Sequence, residues 1–231
     1  MTNLADLNWV QVDAAPRRAV IVPLGSLEQH GPHLPLDTDT RIAVAVAAAA
    51  AARREGVAVA PPLAFGASGE HDAFPGTVSI GTAALTDVLV ELGRDVSRHW
   101  DALLFVNAHG GNRYAVSAAL RRLRAEGRRC GAFSVAPRNG DAHAGRTETS
   151  MLLHLDPAAV RGEDAQPGET RPIGALLGRL RTEGVRSVSP NGVLGDPGGA
   201  TAAEGRRLLE QATVDCVTTL DALISQGPGD D

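Results

Sequence analysis

Aromatic side chains are scarce: Phe, Trp and Tyr together make up 3% of 231 residues, so aliphatic side chains and alanine must fill any core. Cysteine is scarcer still. Cys130 and Cys216 lie far apart, form no C-x-x-C knuckle and sit in no histidine-rich context, which excludes a disulfide framework and a thiol nucleophile. No basic excess exists; the net charge of −5 argues against a nucleic-acid partner. No apolar run is long enough to span a bilayer, the longest being the alanine-rich stretch 43–52. The opening "MTNLADLNWVQVDAAPRR" has no basic segment followed by an apolar one, so a cytoplasmic protein without a membrane partner is expected. Also missing are a G-x-S-x-G elbow and a dinucleotide or P-loop pattern; the glycines of "GVLGDPGGATAAEG" fit neither. No internal repeat is present.

What remains is ordinary globular material, 43% hydrophobic and 21% charged. Length favours one domain over 1–231, with 226–231 as a loose tail. "AVIV" at 19–22 reads as a buried strand stopped by Pro23 and Gly25. Further strands are expected at 57–63, 102–106 and 130–136. Helices are expected at 41–55, 83–100, 113–126, around 151–155, near 173–183, and from a capping box at Thr201–Glu204 to about Ile224. Strands alternating with helices give an α/β fold: a single three-layer α/β/α domain around a mostly parallel sheet. Ligands of such folds bind beyond the carboxyl ends of the strands.

Three loops rich in histidine and carboxylate each follow an expected strand, and loops leaving one sheet edge converge. In "GSLEQHGPHLPLDTDT" (25–40), Glu28 and His30 are spaced i, i+2, which turns both to one side of an extended segment. Asp39 either ligates a cation or, like Thr38, caps the next helix. His33 and Asp37 read as supports. "NAHGGN" (107–112) places His109 at a strand end, with Gly110 and Gly111 permitting positive φ and close approach and Asn112 able to cap a helix. "HAGRTETS" (143–150) adds His143, either a loop residue or a proton carrier, and Glu148, either a ligand or a complement to a helix dipole. On a further loop, Glu70 and His71 either contact substrate or a second subunit or are simply solvated.

Glu28, His30, Asp39, His109 and Glu148 offer three carboxylates and two imidazoles. With Asp39 bridging they make roughly six metal–ligand bonds, and a shared hydroxide raises that to about eight, enough for two four-coordinate ions. Oxygen and imidazole donors without thiolate suit divalent Zn, Mn or Fe. His143, outside that count, is free to move protons, and the chemistry implied is metal-activated water attacking a carbonyl.

"GSLEQHGPHLPLDTD", "FPGTVSI", "NAHGGN" and "HAGRTETS", in this order, resemble the creatininase family of metal-dependent amidohydrolases over nearly the whole chain. The resemblance implies an α/β fold, a binuclear metal site and a homo-oligomer. It makes Glu28, His30, Asp39 and His109 ligands with Asp39 bridging, and His143 the acid/base. Creatinine-hydrolysing members carry a carboxylate where this chain has Gly111, so the resemblance implies Glu148 as the replacement and a substrate other than creatinine. The motifs, with "GASGEH" and "MLLHL", are most similar to members that cleave a modified precursor peptide to release a Val-Tyr-derived dipeptide for a redox cofactor. The resemblance also leaves open an amidohydrolase or deformylase acting on a small cyclic amide or formamide, and a non-catalytic metal-binding scaffold. In the hydrolytic readings Gly110 and Gly111 offer backbone N–H groups to the oxyanion.

Overall fold

In the computed structural model, which describes residues 2–136 and 140–225, five strands form one sheet. They are β1 (Thr2–Asn3), β2 (Ala19–Leu24), β3 (Val57–Val59), β4 (Ala102–Asn107) and β5 (Cys130–Ser134), in the order β1-β3-β2-β4-β5 with every pair parallel. The helices are α1 (Trp9–Asp13), α2 (Thr38–Ala51), α3 (Gly81–Val96), α4 (Arg113–Ala125), α5 (Arg146–Leu155), α6 (Ile173–Val188) and α7 (Ala202–Ser225).

The period of two along each strand splits the core. Ala19, Ile21, Leu104 and Val106 face α2, α5 and α7, whereas Val20, Val22, Leu103 and Phe105 face α3 and α4. Both faces are covered, as an all-parallel sheet requires. Phe105 is the one aromatic among the largest fully buried side chains of the described residues. Alanines 43, 47 and 50, all fully buried, bring α2 close against the sheet. The expected α/β architecture is therefore present. Among the described residues, no helix is long and apolar enough to cross a membrane. The expected tail, 226–231, lies outside the described residues, as do 137–139.

Boundaries differ from expectation in instructive places. β2 runs through Pro23, which pairs with Val106. Its missing N–H is tolerated because β3 has ended at that level, where Leu63 N–H already donates to the Pro23 carbonyl (3.0 Å). β3 itself stops before Pro61 and Pro62 rather than reaching 63. α2 begins at Thr38 and closes at Ala51, ahead of the expected Glu55. α6 continues past 183 to Val188 across a kink at Gly184. Only half of the Thr201 capping box forms: Glu204 N–H donates to Thr201 Oγ1 (3.2 Å), while the Glu204 carboxylate accepts from Arg146 and Ser150.

That last arrangement ties the start of α7 to α5. Gly205 lets the two helices meet so closely that a Cβ there would fall inside the Ser150 carbonyl oxygen. Gly205→Ala is expected to cost about 1–3 kcal/mol by overpacking, read as a lower denaturation midpoint in urea. A variant as stable as the parent would show that α5 and α7 separate freely.

Candidate metal centre

The chain leaves β2 toward β3 on one side and returns to β4 on the other, so the loops after β2 and β4 part at a switch point in the sheet. The three histidine-rich loops meet there. Glu28, His30, Asp39, His109 and His143 are all buried under a cleft of about 1110 Å³, and Glu148 is mostly so. The loops are braced by a buried asparagine strut. Asn112 Oδ1 accepts from Ala67 N–H (2.9 Å), and its Nδ2 donates to the Gly25 carbonyl and to Asn107 Oδ1 (3.0 Å each). This corrects the expected helix-capping role of Asn112, whose side chain caps nothing.

Asp39 stands between two of the donor groups. Glu28, Asp39 and His109 form one; His30 and Glu148, with His143, form the other. Asp39 Oδ2 lies 3.3 Å from His109 Nδ1, and Oδ1 lies 3.1 Å from His30 Nε2, so each oxygen faces one histidine. Asp39 sits inside the first turn of α2 rather than ahead of it, its Oδ2 also accepting from Ser26 (2.6 Å). Asp37 is the N-cap residue and pairs with Arg41 (2.8 Å), away from the donor groups. His33 bonds Thr149 (2.9 Å), next to Glu148.

Orientation of each ring follows from the partner of its far nitrogen. His30 Nδ1–H donates to the Glu28 carbonyl (3.1 Å), His109 Nε2–H to the Ala67 carbonyl (3.3 Å) and His143 Nε2–H to the Gln29 carbonyl (2.8 Å). A backbone carbonyl only accepts, so the other nitrogen of each ring points toward the carboxylates and offers a lone pair there once it carries no proton. Glu148 Oε2 accepts from Ala144 N–H (2.6 Å) and stands 4.0 Å from His30 Nε2. Ala144 holds φ at 50°, a left-handed geometry that costs roughly 1–2 kcal/mol in an L-residue and is locked by that bond.

The electrostatics call for cations. Both Glu28 oxygens are buried without a hydrogen-bond donor among the described residues; His109 Nδ1, 3.1 Å from Oε2, is not aligned to supply one. Burial alone would raise the Glu28 and Asp39 carboxyls, but the neighbouring imidazoles hold Glu28 low and Asp39 well below the usual range. Burial likewise opposes charge on His30, yet Asp39 overrides it, with Glu148 and Glu28 assisting, and holds the ring up to about 10. Glu28 and Asp39 do the same for His109. Two protons thus fill the place of two cations. Burial lifts Glu148 to about 7, and burial with neighbouring imidazoles pushes His143 well down and His71 down to about 3. An unsatisfied buried carboxylate among oxygen and imidazole donors fits divalent ions of the Zn, Mn or Fe type.

Gly110 and Gly111 line the cleft, and neither uses the positive φ that glycine permits. Gly111 serves by close approach: a Cβ there would meet the Ala67 carbonyl, the His109 ring and Glu70. Glu70 and His71 also line the cleft; Glu70 Oε1 is 3.8 Å from His109 Nε2, and His71 Nε2 is 3.5 Å from Glu28 Oε1. Sequence reasoning missed Gln29, Ser26 and the cleft wall supplied by Tyr114, Leu177 and Arg181. A signal for Gln29 existed, since it stands between two ligand-type residues, but its partners are distant in the chain.

Comparison with known proteins places the chain. The creatininase (creatinine amidohydrolase) family model matches residues 5–220. The mycofactocin precursor peptide peptidase of Mycolicibacterium smegmatis is 54% identical over 203 residues, covering 85% of this chain and 82% of that protein. Its counterpart in Mycobacterium ulcerans is 52% identical over 210 residues, covering 87% and 84%. Among solved structures, a manganese creatininase superimposes with a TM-score of 0.77 at 25% identity, covering 97% of this chain and 99% of that one.

Zinc binding near neutral pH is expected to release about two protons, because His30 and His109 must lose theirs to ligate. The bound state carries fewer protons, so affinity rises with pH. Titration calorimetry in buffers of different ionisation enthalpy reads the proton count, and binding without proton release would contradict the assignment.

Proposed function

The chain is a member of the creatininase family, a hydrolase acting on C–N bonds, and on that premise we propose that it cleaves the modified mycofactocin precursor peptide, releasing its C-terminal Val-Tyr-derived dipeptide. The observation that carries this reading is the pair of donor groups on either side of Asp39 at the base of a cleft of about 1110 Å³. Clefts for drug-sized ligands run about 300–1,000 Å³. A small cyclic amide or formamide would leave most of this one unfilled, whereas a peptide end with bulky side chains occupies it. Tyr114 and Leu177, both exposed, supply apolar wall, and Arg181, bonded to the Tyr114 hydroxyl (2.6 Å), supplies a cation.

Glu28, Asp39 and His109 would hold one divalent ion, and His30, Asp39 and Glu148 the other, as Zn, Fe or Mn. When bound, such ions polarise a carbonyl and acidify water toward neutral pH. The chain's own groups do the rest. His143, its Nε2–H held by the Gln29 carbonyl, keeps a lone pair on Nδ1, 3.7 Å from Glu28 Oε1. Nδ1 takes the proton of the attacking water and returns it to the leaving amine. Gly110 and Gly111 offer backbone to the oxyanion on the cleft side, while Glu70 contacts substrate at the rim. We further infer one metallohydrolase domain, a cytoplasmic location and a homo-oligomer, the last supported by the exposed side chains of Phe65, Val78 and Ile80.

Incubating the protein with modified precursor peptide tests this. Cleavage is expected to vanish on chelation and return with divalent metal. His143→Ala is expected to lower kcat by about 10²–10⁴-fold at unchanged metal content. Cleavage undiminished after complete metal removal would refute the mechanism.

A further inference from the structure

Gln29 is buried between two of the proposed ligands, and its amide cannot be turned around. Oε1 accepts the Gly31 N–H (2.8 Å), and Nε2 donates to the Gly192 carbonyl (3.0 Å). Exchanging the two atoms would set N–H against N–H and carbonyl against carbonyl. Two imidazole nitrogens lie near the same Nε2: His71 Nδ1 at 2.9 Å and His143 Nε2 at 3.0 Å. His143 Nε2 already carries a hydrogen, donated to the Gln29 backbone carbonyl, so it cannot accept another. The remaining amide hydrogen therefore goes to His71 Nδ1. That nitrogen must bear a lone pair, and the ring hydrogen sits on Nε2.

His71 Nε2 lies on the cleft wall, 3.5 Å from Glu28 Oε1. Glu28, His71 and His143 are close enough together to hold an ion. A nitrogen that carries hydrogen offers no lone pair, so His71 stays out of that role while Gln29 holds it.

We infer that Gln29 is a positioning residue that fixes His71 as a neutral Nε2–H donor, barred from ligation and aimed at the oxygen of the scissile amide. The inference rests on the hydrolytic reading above. Negative charge grows on that oxygen as water attacks, and an N–H held ready in a buried site stabilises it without reorganising. His71 keeps its hydrogen throughout; proton transfer belongs to His143. Two buried histidines of the same cleft thus divide the work, one through a lone pair and one through an N–H.

The tautomer is readable without turnover in the full-length zinc-loaded protein, from long-range nitrogen–proton spectra of isotope-labelled histidines. The resonance assigned to His71 by its loss in His71→Gln is expected to show protonated Nε2 and bare Nδ1. A hydrogen on Nδ1, or zinc bound at Nε2, overturns the inference. Gln29→Glu puts an acceptor where the amide donates, and is expected to move the hydrogen to Nδ1; an unmoved hydrogen removes Gln29 from its role. His71→Ala is expected to lower kcat by about 10²–10³-fold with KM and zinc content little changed, and His71→Gln, which keeps a neutral N–H, to restore part of the loss. Loss of zinc in His71→Ala would make the residue a ligand and overturn the inference. If the wild type shows the expected tautomer yet hydrolyses no peptide, the hydrolytic reading fails and takes the donor's role with it, while the Gln29–His71 bond stands.

Discussion

Glu28 and Asp39 carry like charge, close together and out of water, at the base of the cleft. Such an arrangement is stable only if positive charge is brought to it, because burial of an unpaired carboxylate costs several kcal/mol or is relieved by protonation. Here the imidazoles of His30 and His109 bring the charge, and what surrounds the carboxylates serves to keep them there. The Ser26 hydroxyl holds Asp39, the Asn112 strut joins the loops after three strands, and the Ala144 N–H holds Glu148. Buried hydrogen bonds placed this way keep together negative charge that a cation could balance.

Four histidines share this small volume and differ through the partner of the ring nitrogen turned away from the carboxylates. His30, His109 and His143 donate outward to backbone carbonyls, which leaves the inward nitrogen of each to ligate or accept once it carries no proton. His71 alone meets an outward donor, the Gln29 amide, and so presents hydrogen inward. Backbone carbonyls and one amide, rather than the rings themselves, decide which imidazole can hold a metal, accept a proton or donate a hydrogen bond.

Much of this was legible because the ligand-type residues lie in short motifs at strand ends. Short continuous apolar runs in "AVIV" and "ALLFV" marked buried strands, and a parallel sheet brings such strand ends to one edge. The loops then had to converge. Less legible were features set by distant contacts. Pro23 stays in a central strand because its neighbour has already ended, which no local rule contains. Asn112 follows a loop and precedes a helix, as a cap would, yet bonds to Gly25 and Ala67 in preference to its own helix. Gln29 acts through His71 and Gly192, and its pattern in sequence is indistinguishable from a polar spacer.

The missing carboxylate at Gly111 has a physical consequence for the cleft. The Ala67 carbonyl, the His109 ring and Glu70 fill the space where a side chain would begin, so no residue larger than glycine fits without moving them. A third carboxylate must therefore reach the site from elsewhere, and Glu148 does so from the first turn of α5. Its position depends on α5 lying tight against α7 at Gly205. A carboxylate brought in from α5, with glycine at 111, leaves bare backbone on the side of the cleft that faces Tyr114 and α6. An acidic side chain at 111 would narrow that side and set a negative charge on the cleft wall. With glycine there, three carboxylates still meet at the base of the cleft while its wall at 111 stays free of a side chain.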